Sequence, residues 1–278
     1  MVLNAMTVDV EDYFQVSAFS GQVKREDWQS MPCRVERNTE RILQLFSDKK
    51  VSATFFTLGW VAERFPDLVK RISENGHEVA SHGFAHVRIG EQDPEQFRSD
   101  VKRTKQLLED ICGKAVIGYR AASFSLNLDT LWAVDLLAEE GYHYSSSVYP
   151  IRHDHYGMPN APRFPFTHSG SSGLVELPIS TVKVMDRNLP CGGGGYFRLF
   201  PYAISRWALK RVNEQEGRPC IFYFHPWEID DGQPRIKNIS LKTRFRHYTN
   251  LASMEQRLSA VLAEFEWGRL DQLYRAAA

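Results

Sequence analysis

The 34 lysines and arginines are matched by 34 aspartates and glutamates, so the chain carries no net charge. That removes any general electrostatic ground for nucleic acid or an anionic membrane as partner. Cysteine is scarce and scattered. Cys33, Cys112, Cys191 and Cys220 form no C-x-x-C pair, so neither a disulfide framework nor a zinc knuckle is indicated. Free, mostly buried thiols in a reducing compartment are expected. No run approaches the roughly 18 apolar residues of a membrane span. Met1 to Val10 lacks a basic region, a long apolar core and a small-residue cleavage site, which predicts a cytoplasmic protein. No internal repeat and no interdomain linker is visible.

What is present suffices for a sizeable core: 278 residues, 43% hydrophobic and 12% aromatic. Ala5 to Val10 alternates as a strand toward the acidic end Asp9-Val10-Glu11-Asp12, and an aromatic loop begins at Tyr13-Phe14. Helices are predicted over Arg34 to Asp48 and Val61 to Glu74, the second ending at Asn75-Gly76, with a buried strand at Val51 to Leu58 between them. His77 to Ser81 is a short strand. A helix over Pro94 to Ile111, a strand at Val116 to Arg120, a helix from Asn127 or Leu128 to Glu140 and a strand at Tyr142 to Ser147 continue the rhythm. Strand and helix alternating at this spacing argue for parallel β/α units, a barrel or a doubly wound sheet. Pro150 to Gly173 interrupts as a long loop, and Leu174 to Val184 reads as a strand pair. The glycine run Cys191 to Gly195 then leads into a helix at Pro201 to Glu214. Pro219 to His225 is the last strand, and a terminal helix covers Ser253 to Trp267. One domain over 1–278 is expected, with the barrel at about 1–230 and 231–278 as an extension packed on it.

The chemistry-bearing residues fall at strand ends. His82 and His86, four apart, lie one above the other if Ser81 to His86 is helical or tightly turned, and two neutral imidazoles supply two ligands for a divalent metal. Asp9, Glu11 and Asp12 end the first strand, Arg120 ends another and His225 ends the last. In parallel β/α architectures these ends form one rim. Two histidines and a carboxylate leave metal positions open for water and substrate, and a second carboxylate can take a proton from that water. An arginine beside that base can hold it ionised and oriented, and a histidine on the opposite side can protonate a leaving amine.

These pieces together resemble the polysaccharide deacetylases of the NodB-homology type, the fourth carbohydrate esterase family. Thr7 to Asp12 resembles that family's first motif, His82 to His86 its second, Tyr119 to Phe124 its third and Phe222 to His225 its last. The resemblance runs from Asp9 to about Glu228. It implies a distorted (β/α)7 barrel with parallel strands and a metal-dependent hydrolase that removes acetyl groups from sugars. It implies Asp9 as general base, His82 and His86 as metal ligands, Arg120 as the residue orienting the base, and His225 as general acid. The first motif departs from the family's T-F-D-D-G, because Val10 stands where the second aspartate would. The remaining ligand is then Glu11 or Asp12: strand alternation puts Glu11 on the face of Asp9, whereas a bulge would swing Asp12 inward. A backbone N–H near Ser123 or Phe124 would help hold the oxyanion. The glycine run with Tyr196-Phe197-Arg198, and the tail through Arg246-His247-Tyr248, look like a subfamily associated with exopolysaccharide and O-antigen gene clusters.

Zinc suits two imidazoles and a carboxylate, with cobalt, nickel or manganese chemically acceptable. The expected partner is an acetylated saccharide, and without a leader it would be a cytoplasmic nucleotide- or lipid-linked one. Nothing in the sequence excludes a homo-oligomer. Tyr196 and Arg198, on a tight loop over the site, are candidate sugar contacts, as are Phe124 and Trp227; Tyr149 and Trp227 could equally pack. The remaining histidines have plainer readings, His77 as a turn residue and His153, His155 and His168 as exposed loop residues. Two other functions stay open: hydrolysis of a cyclic imide or ureide on the same barrel, and a silent glycan-binding module. The intact histidine pair speaks against the first, and retention of base, ligands and acid against the second.

Overall fold

The first strand is flanked on both sides by parallel partners, which is why its far end becomes the centre of the rim. The computed structural model describes residues 2–154, 156–168 and 173–277. Its strands in chain order are β1 (Leu3–Val10), β2 (Thr54–Thr57), β3 (Glu78–Ser81), β4 (Gly118–Tyr119), β5 (Tyr144–Ser145), β6 (Phe166–Thr167), β7 (Val175–Glu176), β8 (Thr181–Val184), β9 (Arg187–Pro190), β10 (Ile221–Phe224) and β11 (Glu266–Gly268). The order across the main sheet is β10-β1-β2-β3-β4-β5-β7-β6, parallel throughout except at the β6–β7 edge. This is the expected parallel β/α architecture, curled into a half-barrel. Among the described residues no ladder joins β7 to β10; single bonds bridge the segment after β7 to β10, from Ile221 N–H to Ser180 Oγ at 2.7 Å and from Ser180 N–H to Ile221 C=O at 3.3 Å.

The two-residue period of the strands sorts their side chains. Met6, Val8 and Val10 point outward with Phe55, Val79, Phe222 and Phe224, into one apolar layer with the helices. Those helices are α1 (Val35–Lys49), α2 (Gly59–Arg64), α3 (Pro66–Glu74), α4 (Pro94–Cys112), α5 (Trp132–Glu139), α6 (Gly194–Leu199), α7 (Tyr202–Lys210), α8 (Leu241–Tyr248), α9 (Leu251–Glu264) and α10 (Leu270–Ala277). Ala5, Phe56, Ala80, Tyr144, Ile221 and Tyr223 point inward and fill the barrel. Asp9 shares that inward phase and is buried at the top of the fill. Each fully buried aromatic adds on the order of 1.5–3 kcal/mol, so both layers are strongly specified.

Several expectations are corrected. The single helix over Val61 to Glu74 is two, because Pro66 pushes Phe65 out of the helical region (φ −131°, ψ 60°) and then opens α3 as its first residue. The helix from Asn127 or Leu128 begins as a 3₁₀ turn at Leu128–Thr130, and the one ending at Glu214 finishes as a π turn from Arg211. The strand pair at Leu174 to Val184 is instead the short β7 and the first arm of the β8–β9 hairpin. The terminal helix stops at Glu264, since Glu266–Gly268 pairs with Leu3–Ala5 as β11 and buries Trp267. Of the cysteines, Cys191 and Cys220 are buried whereas Cys33 and Cys112 are half-buried, and none is bridged.

Candidate active site

The histidine pair is carried on a loop. Ser81 ends β3, and Gly83 and His86 take left-handed backbone angles (φ 72° and 51°), so the helical stacking expected of residues four apart is absent. The loop is held by Asp100 of α4, whose carboxylate accepts the Phe84 N–H at 3.1 Å. A side chain at Gly83 would meet that carboxylate at 3.0 Å. The rings of His82 and His86 meet edge-on with centroids 5.2 Å apart. His82 Nδ1 is 2.8 Å from the Arg120 carbonyl, which can only accept; Nδ1 therefore carries the proton and Nε2 keeps its lone pair. Burial lowers both imidazole pKa values, that of His86 well below its ordinary value, so both stay neutral.

Of the two carboxylates in question, Glu11 is the one beside the histidines. Glu11, His82 and His86 offer ligand atoms within 4.8 Å of one another. The strand has already ended at Val10, and the Glu11 N–H turns back to Asp9 C=O at 3.0 Å. A tight turn thus brings the side chain inward, not continued alternation. Asp12 faces away. Its Oδ2 accepts the N–H groups of Arg34 (2.5 Å) and Val35 (2.8 Å), and its Oδ1 that of Tyr13. It satisfies the start of α1, where unpaired N–H groups collect.

The donor set fits a divalent cation. Glu11 Oε2 is buried without a hydrogen bond, although His86 Nε2 lies 3.0 Å away out of bonding geometry. Burial, opposed by His225 and reinforced by Asp9, pushes the Glu11 carboxyl up to about 7. A buried carboxylate short of positive charge beside two neutral imidazoles is a donor set that could hold a metal.

Asp9 and Arg120 form a buried pair: Nη1 donates to Asp9 Oδ1 at 2.6 Å and to Thr7 Oγ1 at 2.8 Å. Arg120 Nε and Nη2 are anchored on Ser146, and the guanidinium lies over Phe56 at 4.0 Å. His225 lies next to Asp9 instead of opposite it, with Nε2 3.8 Å from Asp9 Oδ2 and 3.5 Å from Glu11 Oε1. Its Nδ1–H donates to Glu228 Oε1 at 2.8 Å, and Arg198 Nε donates to Glu228 Oε2 at 2.5 Å. Burial alone would lower the His225 pKa, but the bond to Glu228 and the charges of Glu11, Glu228 and Asp9 raise it to about 9. Glu228 is raised by burial and pulled down by Arg198 and His225, to about 2. Glu228 was not singled out from sequence; its spacing of three from His225, across a proline-led turn, is the signal that could have found it.

Asp9, Glu11, His82, His86 and His225 floor a cleft of about 470 Å³. All four candidate sugar contacts, Phe124, Tyr196, Arg198 and Trp227, border it. Arg198 is buried, however, and besides Glu228 it donates to the carbonyls of Arg246, His247 and Thr249. Trp227 is packed beneath His225, stacked between it and His247, and points its indole N–H at Glu11 Oε1 at 3.3 Å. Tyr149 packs against Phe124 and Tyr223 inside the barrel. The glycine run borders the cleft at Gly195 and otherwise lies against β10, where a side chain at Gly193 would strike Tyr223 O at 2.1 Å. His77 is buried between strands and accepts the Ala53 N–H. His153 and His168 are not exposed: His153 stacks on Tyr156 and His168 meets Phe166 edge-on. His155 lies outside the described residues.

Comparison with known proteins agrees with this geometry. Residues 28–144 match the polysaccharide deacetylase family, and residues 146–275 match a domain of unknown function. A peptidoglycan-N-acetylglucosamine deacetylase of Bacillus cereus is 35% identical over 77 residues, 28% of this chain and 28% of that protein, so the chain matches little more than a quarter of the relative's length. A Mycobacterium smegmatis structure designated a polysaccharide deacetylase shares the fold with TM-score 0.63 at 20% identity, over 99% of this chain and 89% of that one. An allantoinase structure does so with TM-score 0.62 at 14% identity, over 98% and 89%. Both likenesses establish the barrel. The deacetylase match carries the histidine pair and Arg120, while Asp9 and Glu11 precede it and His225 follows it.

Proposed function

We propose that the chain is a metal-dependent deacetylase that hydrolyses the acetyl amide of an N-acetylated sugar in surface-polysaccharide biosynthesis. The observation that carries this reading is the orphaned Glu11 oxygen beside two neutral histidines, with the Asp9–Arg120 pair at the same cleft floor. A divalent ion held by Glu11, His82 and His86, zinc by donor type, would supply a Lewis acid and a water of lowered pKa. Asp9 takes the proton of the attacking water, held in place by Arg120. His225, protonated and fixed by Glu228, gives a proton to the departing nitrogen. The Phe124 N–H is already committed to Ala121 C=O, which leaves the Ser123 N–H as the backbone donor to the oxyanion. Tyr196 and Phe124 face the sugar.

Release of acetate from an N-acetylated oligosaccharide should require added metal and stop with chelator. Asp9→Asn and His225→Ala should each lower kcat about 100-fold or more while bound metal, counted by elemental analysis, is retained. Parental turnover in either variant would remove the roles assigned to them.

A further inference from the structure

The balanced charge of the chain hides a strong local asymmetry. From Gly232 to Met254 there are five cations, Arg235, Lys237, Lys242, Arg244 and Arg246, and no aspartate or glutamate. Within this stretch α8 exposes Leu241 and Phe245, 83% and 61% accessible and one helical turn apart. Lys242 and Arg246 flank this apolar stripe on one side and Arg244 on the other. Among the described residues only Asp154 offsets these charges, pairing with both Lys242 and Arg246; no carboxylate pairs with Lys237 or Arg244. Arg235 lies over the Tyr248 ring. Phe245, Lys242 and Arg246 also line the mouth of the cleft that holds Asp9, His82 and His225.

We propose that α8 and the segment leading into it dock on an anionic lipid bilayer, which sets the cleft mouth at the lipid headgroups. An apolar stripe bordered by cations is the pattern of a helix lying in a membrane interface. Two turns bury too little apolar surface to hold alone, so attachment is reversible and depends on anionic headgroups. A soluble anionic ligand would be met by Lys242 and Arg246 but would leave Leu241, Lys237 and Arg244 without a role. Taken with the deacetylase reading, on which this last step rests, the surface selects a saccharide linked to a membrane lipid.

Sedimentation of the full chain with vesicles tests the docking. Binding is expected to phosphatidylcholine vesicles containing phosphatidylglycerol, not to phosphatidylcholine alone, and to weaken as salt rises. Lys237→Gln and Arg244→Gln should each weaken binding about fivefold per cation removed, and Leu241→Ser should weaken it with the thermal transition unchanged. Equal binding to both vesicle types, binding to neither, or parental binding by all three variants would overturn the proposal. So would retention on dextran sulfate without vesicle binding, which would reassign the surface to an acidic glycan. Vesicle binding by a chain that releases no acetate would retain the docking and remove the deacetylase reading.

Discussion

His225 depends on two buried residues behind it. Glu228 accepts its Nδ1–H, and Arg198 holds Glu228 from the other side with every bond turned inward. This chain orients the imidazole and keeps its proton in place. Glu228→Gln should lower kcat about 10- to 100-fold with metal content unchanged, measured by acetate release beside elemental analysis. Parental kcat would show that the orientation is not needed. A second residue-scale prediction concerns His77. Burial, and then the charge of Arg269, lowers its pKa from 6.5 to about 4, so the folded state keeps the imidazole neutral while the unfolded chain protonates it near 6.5. The stability it contributes is present above the unfolded pKa and is lost as pH falls toward 4. Between pH 7 and pH 4.5 that loss is about 2–3 kcal/mol. Urea denaturation of His77→Gln should show a drop over this interval smaller by that amount; identical drops would place the acid sensitivity elsewhere.

At the scale of elements, the stretch after β1 divides its two carboxylates between two jobs. Glu11 turns into the cleft, while Asp12 accepts the Arg34 and Val35 N–H groups that open α1. Asp12→Ala should reduce stability by about 1–3 kcal/mol, because three backbone donors lose their acceptor, yet leave metal stoichiometry intact. Glu11→Ala should do the reverse, losing metal with little loss of apo stability. Calorimetry and elemental analysis on the two variants separate these outcomes, and metal loss in Asp12→Ala would restore it as a ligand. Helices with strong local signals were legible: α4 has Asp93 and Pro94 at its start and Gly113 at φ 64° just past its end. The break at Pro66 was equally open to reading, since proline restricts the residue before it.

At the scale of the whole molecule, the C-terminal segment completes the sheet. β1 takes β2 along Thr7–Val10, and β11 occupies the same side along Leu3–Ala5. Trp267 packs edge-on against Phe222 and donates its indole N–H to Val261 C=O at 2.9 Å. Trp267→Ala should cost about 3–5 kcal/mol in chemical denaturation, the range for a buried aromatic. A change below about 1 kcal/mol would mean that β11 is an appendage. No local pattern announces this strand, because its reward is pairing with residues more than 260 positions away. The basic, apolar face of α8 is also a whole-molecule feature, since composition averages it to zero.

The sequence by itself determined the parallel β/α rhythm, the inward phase of Asp9 and the set of residue types that would share one rim. Periodicity and residue chemistry are local, and they survive without coordinates. Only the tertiary structure decided that Glu11 stands with His82 and His86, that Arg198 holds Glu228, and that His225 lies beside Asp9. Each of those outcomes depends on backbone turns and on carbonyls and N–H groups supplied by distant segments. Such partners have no signature at the positions they serve.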